Sequence, residues 1–474
     1  MSKICFVQHA SESPLYESIA DALSARGVDA VFVCKMRLAQ QQYEASGRTT
    51  LYPEEVFANE PLADEVLKEL DERYGTPGLR LILDSDVQLQ RLYRTEKERL
   101  DVIARTLLFW ERVISEEGID AVLARESATF LTRTAYLVCR ARKIPFGQLA
   151  IGPSNDMFTI DDVDESHVWS RFLDALKKSP SRLTDAEAAR IEAFIAKRIP
   201  ASSGPMRVRF VPDSLFSVAR QFLSLRLHDT PGLMKSDPIR VGSLRYGRYR
   251  LLKRLVWQYV TRLFFTYDEP HEGDSYVYFP FYSGEETSYL VSDRFWALRE
   301  VELLKEAARC LPYGHLLYVK EHPTNPGDLS FRELNELRRV PNIRILHPSV
   351  SARDVIAKSS AVCVLQGTTG WEAFLMQKPV VTLSRPFFAY AELVYAVRDI
   401  ADLPHIFKEA IAAGSKRYEK TRDSWQWFIH TALTTAYEGE TLRLEPPYGF
   451  PDEPENGRRI ADAIRETLLA KAIK

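Results

Sequence analysis

The stretch from Leu316 to Leu383 constrains the fold more than any other part of the chain. Four short apolar runs, LLYV, NIRIL, AVCVL and VVTL, alternate with amphipathic segments that open on polar or glycine-rich turns. Strands separated by helices run parallel, because each return crosses the sheet through a helix, so the stretch predicts a βαβαβ unit of an α/β protein. Ligands of such sheets bind at the carboxyl ends of the strands, and two suitable turns fall there. Lys320-Glu321-His322-Pro323 leaves the run LLYV, and the proline disfavours helix at His322. Gln366-Gly367-Thr368-Thr369-Gly370 joins AVCVL to the helical run WEAFLMQ. Unpaired N–H groups at a helix start, a partial positive charge and small residues suit an anionic, phosphate-bearing ligand.

KEHP, followed some forty residues later by QGTTGWEAFLMQKPVV, resembles the carboxy-terminal domain of the bacterial capsule-polysaccharide biosynthesis proteins, glycosyltransferases of the GT-B fold. The resemblance covers roughly Tyr276 to Leu383, and the amino-terminal half shares its layout alone. Some members transfer Kdo from CMP-Kdo, and related sialyltransferases hold CMP with a similar His-Pro turn and Ser/Thr pair. The resemblance therefore implies an α/β chain with two Rossmann-like domains facing a central cleft. It implies a nucleotide-sugar donor, CMP-Kdo favoured, and a terminal helix that returns to the first domain. The chain departs from the family in reading FYSGEETS where a Gln-rich loop is usual, and in having Thr368-Thr369 as its hydroxyl pair.

A length of 474 residues predicts two or three domains. A formal charge of -2 argues against a chain-wide nucleic-acid binder. Five scattered cysteines without CxxC spacing point to reduced thiols, and no metal site is expected. MSKICFVQHA has neither the cationic segment nor the long apolar run of a signal peptide, so a cytoplasmic protein is expected. No GxGxxG follows a strand, which disfavours a dinucleotide-dependent dehydrogenase, and no cofactor is expected.

Along the chain, residues 1–165 read as a first Rossmann-like, acceptor-binding domain. Lys3 to Val7 is a strand, Leu15, Ile19 and Leu23 mark a helix closed by Gly27, and Val28 to Cys34 is the next strand. Residues 35 to 87 show no clear order. A long helix is expected from about 88 to 117, stopped by Gly118, then a strand ending at Arg125-Glu126-Ser127. The acidic run from Asp156 to Asp164 reads as a solvated loop. Residues 166–270 form a helical, basic connecting region. Between Pro205 and Phe265 twelve Lys or Arg stand against three acids, interleaved with aromatic and aliphatic residues. Such a segment suits an anionic membrane surface, on the inner face for a cytoplasmic protein, or packs its apolar side on the protein. Residues 271–385 form the nucleotide-sugar domain, whose first strand leads into a loop carrying Ser283 that faces the ligand. The sheet pattern ends after Leu383, and residues 386–474 read as mostly helical, packing back on both domains.

A departing nucleotide phosphate gains charge, and preorganised donors aimed at it are commonly the largest catalytic contribution. His322, Thr368, Thr369 and the amides from Gly367 to Gly370 would supply them without a metal, with Lys320 neutralising phosphate, Glu321 on the nucleoside and Glu372 on a ribose hydroxyl. The structural alternatives are a capping histidine, an exposed lysine, a surface ion pair and a carboxylate favouring its helix dipole. An inverting transferase also needs a base, expected from the first domain. Glu126 leads because it ends an apolar strand, His9 is second, and Asp84 and Asp86 are third. Their alternatives are a helix cap for Glu126 and Asp86 and a loop histidine for His9. The expected activity is transfer of the sugar to a saccharide or lipid-linked saccharide acceptor of a surface polymer. Two other readings stand beside it: phosphotransfer from CDP-glycerol or a CDP-polyol, and a non-catalytic carbohydrate- or nucleotide-binding subunit of a polymer-assembly complex.

Overall fold

The computed structural model describes residues 2–8, 13–58, 60–74, 79–127, 129–163, 168–178, 183–199, 214–281, 300–322, 326–414, 416–443 and 449–472. It divides into two compact units. The first comprises Met1–Lys177, Leu225–Tyr246 and Ala432–Lys474, and the second Lys178–Ser224 and Gly247–Thr431. The stretch 166–270 is thus shared between the two, and residues 432–474 belong to the first.

In the first unit β1 (Ser2–Gln8), β2 (Val28–Cys34) and β3 (Thr49–Leu51) are joined by β4 (Ala121–Ala124), β5 (Phe146–Ile151), β6 (Met157–Asp161) and β13 (Tyr437–Glu438). Their order across the sheet is β13-β6-β5-β4-β1-β2-β3. The five strands from β3 to β5 are parallel, while β6 and β13 are antiparallel to their neighbours. Side chains alternate between two cores. Cys5, Val7, Val31, Val33 and Val122 face the helices Glu96–Glu117 and Phe130–Arg142, while Ile4, Phe6, Phe32 and Leu123 face Ser13–Ser24 and the late helix Pro454–Ile464. Gly457 permits that last contact: a Cβ there would meet the Ser18 backbone carbon at 2.8 Å.

The second unit has six parallel strands, β7 (Tyr276–Pro280), β8 (Leu316–Lys320), β9 (Ile343–Leu346), β10 (Ala361–Val364), β11 (Val380–Thr382) and β12 (Val394–Ala396). Their order is β12-β11-β10-β7-β8-β9. Numbered from its own first strand this is 6-5-4-1-2-3, the doubly wound Rossmann order, whose direction reverses between β7 and β10. Two such units in one chain give the α/β, GT-B make-up expected from the sequence.

Three local expectations are corrected. The helix expected over 88–117 is two, Val87–Leu92 and Glu96–Glu117, because Thr95 and Glu98 form a capping box that starts the second one afresh. The acidic run is not a loop throughout: Met157 to Asp161 forms β6, wholly buried, and its neighbour Asp162 binds Ser170 and Lys471. The second sheet does not end after Leu383, since Val394–Ala396 adds an edge strand in register with Val380–Thr382. Capping boxes also form at Thr184/Glu187 and Ser330/Glu333, and the helix stops at Gly118 as expected.

Candidate functional site

Register aligns the carboxyl ends of three strands in the second unit: Pro280 of β7 pairs with Lys320 of β8, and Lys320 with Leu346 of β9. On the other side of β7, Val362 of β10 pairs with Tyr278. The turns after β8 and β10 therefore share one edge of the sheet, flanking β7, with strand axes about 10 Å apart at ordinary spacing. The edge lies at the topological switch point, where open α/β sheets bind ligands. His9, Ser283 and Pro323 lie outside the described residues.

Lys320 is not at the surface. It is 4% exposed, and its ammonium donates to the carbonyl oxygens of Glu321 and Pro348, both at 3.3 Å. It thereby ties the turn after β8 to the turn after β9. Burial pulls its pKa down to about 8, opposed in part by the Glu321 charge. Glu321 is also buried. Its Oε1 accepts N–H groups from Leu329 at 2.8 Å and Gly327 at 3.2 Å, so the carboxyl shapes the loop that follows. Among the described residues its Oε2 has no hydrogen-bond partner, and burial pushes the pKa up to about 8. His322, the next residue, is exposed. Partial desolvation first, and the Lys320 charge second, hold its imidazole below the ordinary histidine value, so the ring is neutral at pH 7 and carries one N–H.

The chain has another His-Pro pair, His347-Pro348, and its histidine has a local role. His347 Nδ1 lies 2.7 Å from Ser349 Oγ and accepts the Ser349 N–H at 3.2 Å, with Tyr267 edge-on to its ring.

Gly367, at φ 94°, begins the helix Thr368–Leu375 and supplies no capping side chain. Only glycine takes this backbone angle readily, and the leading amides lack the acceptor that Ser, Thr or Asp would give them. Gly367 and Thr368 are exposed, and Thr369 is half-buried. Gly370 is buried, and a Cβ there would meet Phe388 Cζ at 2.5 Å and Val364 Cγ2 at 2.9 Å, so its small size serves packing inside the protein. Glu372 is in the second turn of the helix, beyond the reach of the helix dipole expected for it. Burial raises its pKa, opposed by the charges of Arg198 and Arg353. Those two arginines were not picked out from the sequence. Arg353 donates to the Arg198 carbonyl at 3.2 Å, and its only sequence signal is its position just after the Ser351 helix cap.

In the first unit Glu126 stands beside the corresponding switch point, between β1 and β4. Its carboxylate accepts the Thr129 N–H at 3.0 Å and the hydroxyls of Thr129 and Thr132 at 3.1 and 3.2 Å. Asp86 accepts the Phe130 N–H at 2.9 Å and the Leu89 N–H at 3.0 Å. Both therefore cap helix starts, the structural alternative named for each. The side chain of Asp84 is outside the described set. Among the described residues no cluster of three or more His, Cys, Asp or Glu has metal-holding geometry, and no helix is long and apolar enough to cross a membrane.

The chain is similar to several solved structures. The UDP-GlcNAc 2-epimerase from Methanocaldococcus jannaschii is 15% identical, with 98% of this chain and 100% of that one covered and a TM-score of 0.24. The KpsC beta Kdo 2,7 transferase of Thermosulfurimonas dismutans is 14% identical, with 75% and 88% covered and a TM-score of 0.33. A glycosyltransferase from Rickettsia africae ESF-5 is 11% identical, with 98% of each chain covered and a TM-score of 0.32. No curated protein matches the chain in sequence. The model of one family, described as capsule polysaccharide biosynthesis protein, matches residues 298–400, the stretch that holds Lys320, Glu321, His322, Thr368, Thr369 and Glu372. Over residues 298–400 this chain is similar to the capsule polysaccharide biosynthesis protein family.

Proposed function

We propose that the chain is a glycosyltransferase that moves a sugar from a nucleotide-activated donor, with a CMP-sugar such as CMP-Kdo favoured, to a growing bacterial surface polysaccharide or glycolipid. The observation that carries this reading is the shared sheet edge: His322 and the uncapped start of the Thr368–Leu375 helix flank β7 at the switch point, inside the family-matched segment. As the bond from sugar to nucleotide phosphate breaks, negative charge gathers on the leaving phosphate. The neutral His322 donates an N–H toward it, and the hydroxyls of Thr368 and Thr369 with the leading amides of their helix supply further donors. One such donor is worth roughly 3 kcal/mol of barrier. These groups are fixed before reaction, and the chemistry they offer needs no metal. Transfer would invert the anomeric centre by direct displacement.

The buried residues act indirectly in this reading. Lys320 holds the His322 turn through main-chain carbonyls, and Glu321 holds the loop after it. Glu372, whose charge is felt by Arg198 and Arg353, would take a ribose hydroxyl in this reading.

Thermal unfolding with CMP, CDP, UDP and GDP tests the reading. Ligand at a hundred times its Kd stabilises by about 2.7 kcal/mol, and cytidine nucleotides should give the largest rise in Tm. His322→Ala should lower turnover on the order of a hundredfold while leaving Tm in place. No shift with any nucleotide would overturn the nucleotide-activated donor, and release of CMP from a CDP-polyol would indicate phosphotransfer.

A further inference from the structure

From Pro238 to Thr266 the sequence holds seven lysines and arginines and no acid. The segment is one long helical run: Pro238–Val256, a π turn over Trp257–Thr261, and Arg262–Phe264. In the second unit its inner side buries Leu251, Trp257, Thr261 and Phe265. Its other side should be polar if it only met water. Instead it exposes Leu252 (47%), Val256 (48%), Tyr259 (38%), Val260 (40%), Leu263 (70%) and Phe264 (73%). Their spacing of four, three, one, three and one residues keeps them on one helical face. Isolated exposed apolar residues are common, whereas a continuous stripe marks an interaction surface. Arg250, Arg254 and Arg262, all exposed, flank the stripe. The helix Leu215–Leu227 repeats this chemistry, with Leu215, Phe216 and Leu223 exposed and two arginines without an acid.

We propose that this stripe docks the protein on an anionic bilayer surface, its apolar side chains entering the headgroup boundary and its arginines meeting lipid phosphates. Charge selects this occupant. A second copy joined through the same face would set this segment's arginines against their own copies, since residues 238–266 hold no acid and a two-fold interface pairs a patch with itself. An apolar face bordered by cations, of low overall hydrophobicity, is the pattern of helices that lie in the membrane interface plane. The inference is independent of the sugar-transfer reading, since binding to lipid can be measured without substrate.

The test is sedimentation of the full chain with vesicles of phosphatidylcholine alone and of phosphatidylcholine mixed with phosphatidylglycerol, at low and high salt. Binding is expected on the anionic vesicles only and should weaken with salt. Each arginine near such a surface contributes about a fivefold change in partition. The variant R250Q/R254Q/R262Q should therefore bind roughly a hundredfold more weakly. L263D/F264D should abolish sedimentation, and because both residues are exposed its circular dichroism and Tm should stay those of the parent. Absence of binding, equal binding to neutral vesicles, or undiminished binding by L263D/F264D would each overturn the proposal. So would a parent that forms dimers in light scattering and never sediments, while L263D/F264D is monomeric.

Discussion

Replacing Glu321 with glutamine should change how the stability of the second unit depends on pH. The carboxyl is 1% exposed, its Oε1 is engaged by two loop amides and its Oε2 by no hydrogen-bond partner among the described residues. Burial raises its pKa from 4.5 to about 8. In the unfolded chain it ionises near 4.5, while in the folded chain it holds its proton until about 8. Its stabilising contribution is therefore complete below pH 4.5 and is lost progressively as pH rises to about 8. At about 1.36 kcal/mol per pH unit, the whole window amounts to roughly 5 kcal/mol. Glutamine keeps an oxygen for the Gly327 and Leu329 amides and does not titrate. Urea unfolding at intervals from pH 5 to pH 8 should thus show E321Q gaining on the parent steadily. The readout is the slope of the difference, since other carboxylates cancel between the two proteins. The window of Lys320 lies above that of Glu321 and has the opposite sign, because its folded pKa is depressed. Parallel stability curves for parent and variant would refute the reasoning.

Two further outcomes follow from packing and capping. Gly370→Ala should destabilise the second unit by about 1 to 3 kcal/mol, because the added methyl meets Phe388 and Val364; an unchanged urea midpoint would contradict the close approach. Glu126→Gln removes a charged cap and should cost about 1 kcal/mol of stability, with turnover of the folded enzyme within a few-fold of the parent; a hundredfold fall in kcat at unchanged stability would make Glu126 the base instead.

The sequence made the parallel sheets legible because their central strands are buried on both faces and read as continuous apolar runs. Val28–Cys34 was bounded to the residue, and the turns at His322 and Gly367 were found from the strands that lead into them. Short strands were not legible. Tyr437–Glu438 and Val394–Ala396 are strands only by register with Met157–Phe158 and Val380–Thr382, and two or three residues carry no period of their own. The break at Thr95 was legible in Thr-x-x-Glu, but the apolar spacing on either side matched one helix well enough to hide it. The fate of Lys320 and Glu321 depends on Pro348, Gly327 and Leu329, partners no local pattern points to. Gly370 likewise fits a phosphate loop by type, and its actual neighbour Phe388 enters from a later turn.

The first unit is built from both early and late parts of the chain. Ser18 donates to the carbonyl of Glu453, 435 positions away, at the point where Pro454–Ile464 lies along Ser13–Ser24. At about 5 to 20 residues per second, a ribosome leaves that early helix without its cover for roughly 20 to 90 s. The second unit, whose strands are nearly contiguous, can complete its sheet meanwhile. The side of Ser13–Ser24 that meets Pro454–Ile464 is thus uncovered on the nascent chain for that time, a natural resting place for a chaperone until the late helix emerges.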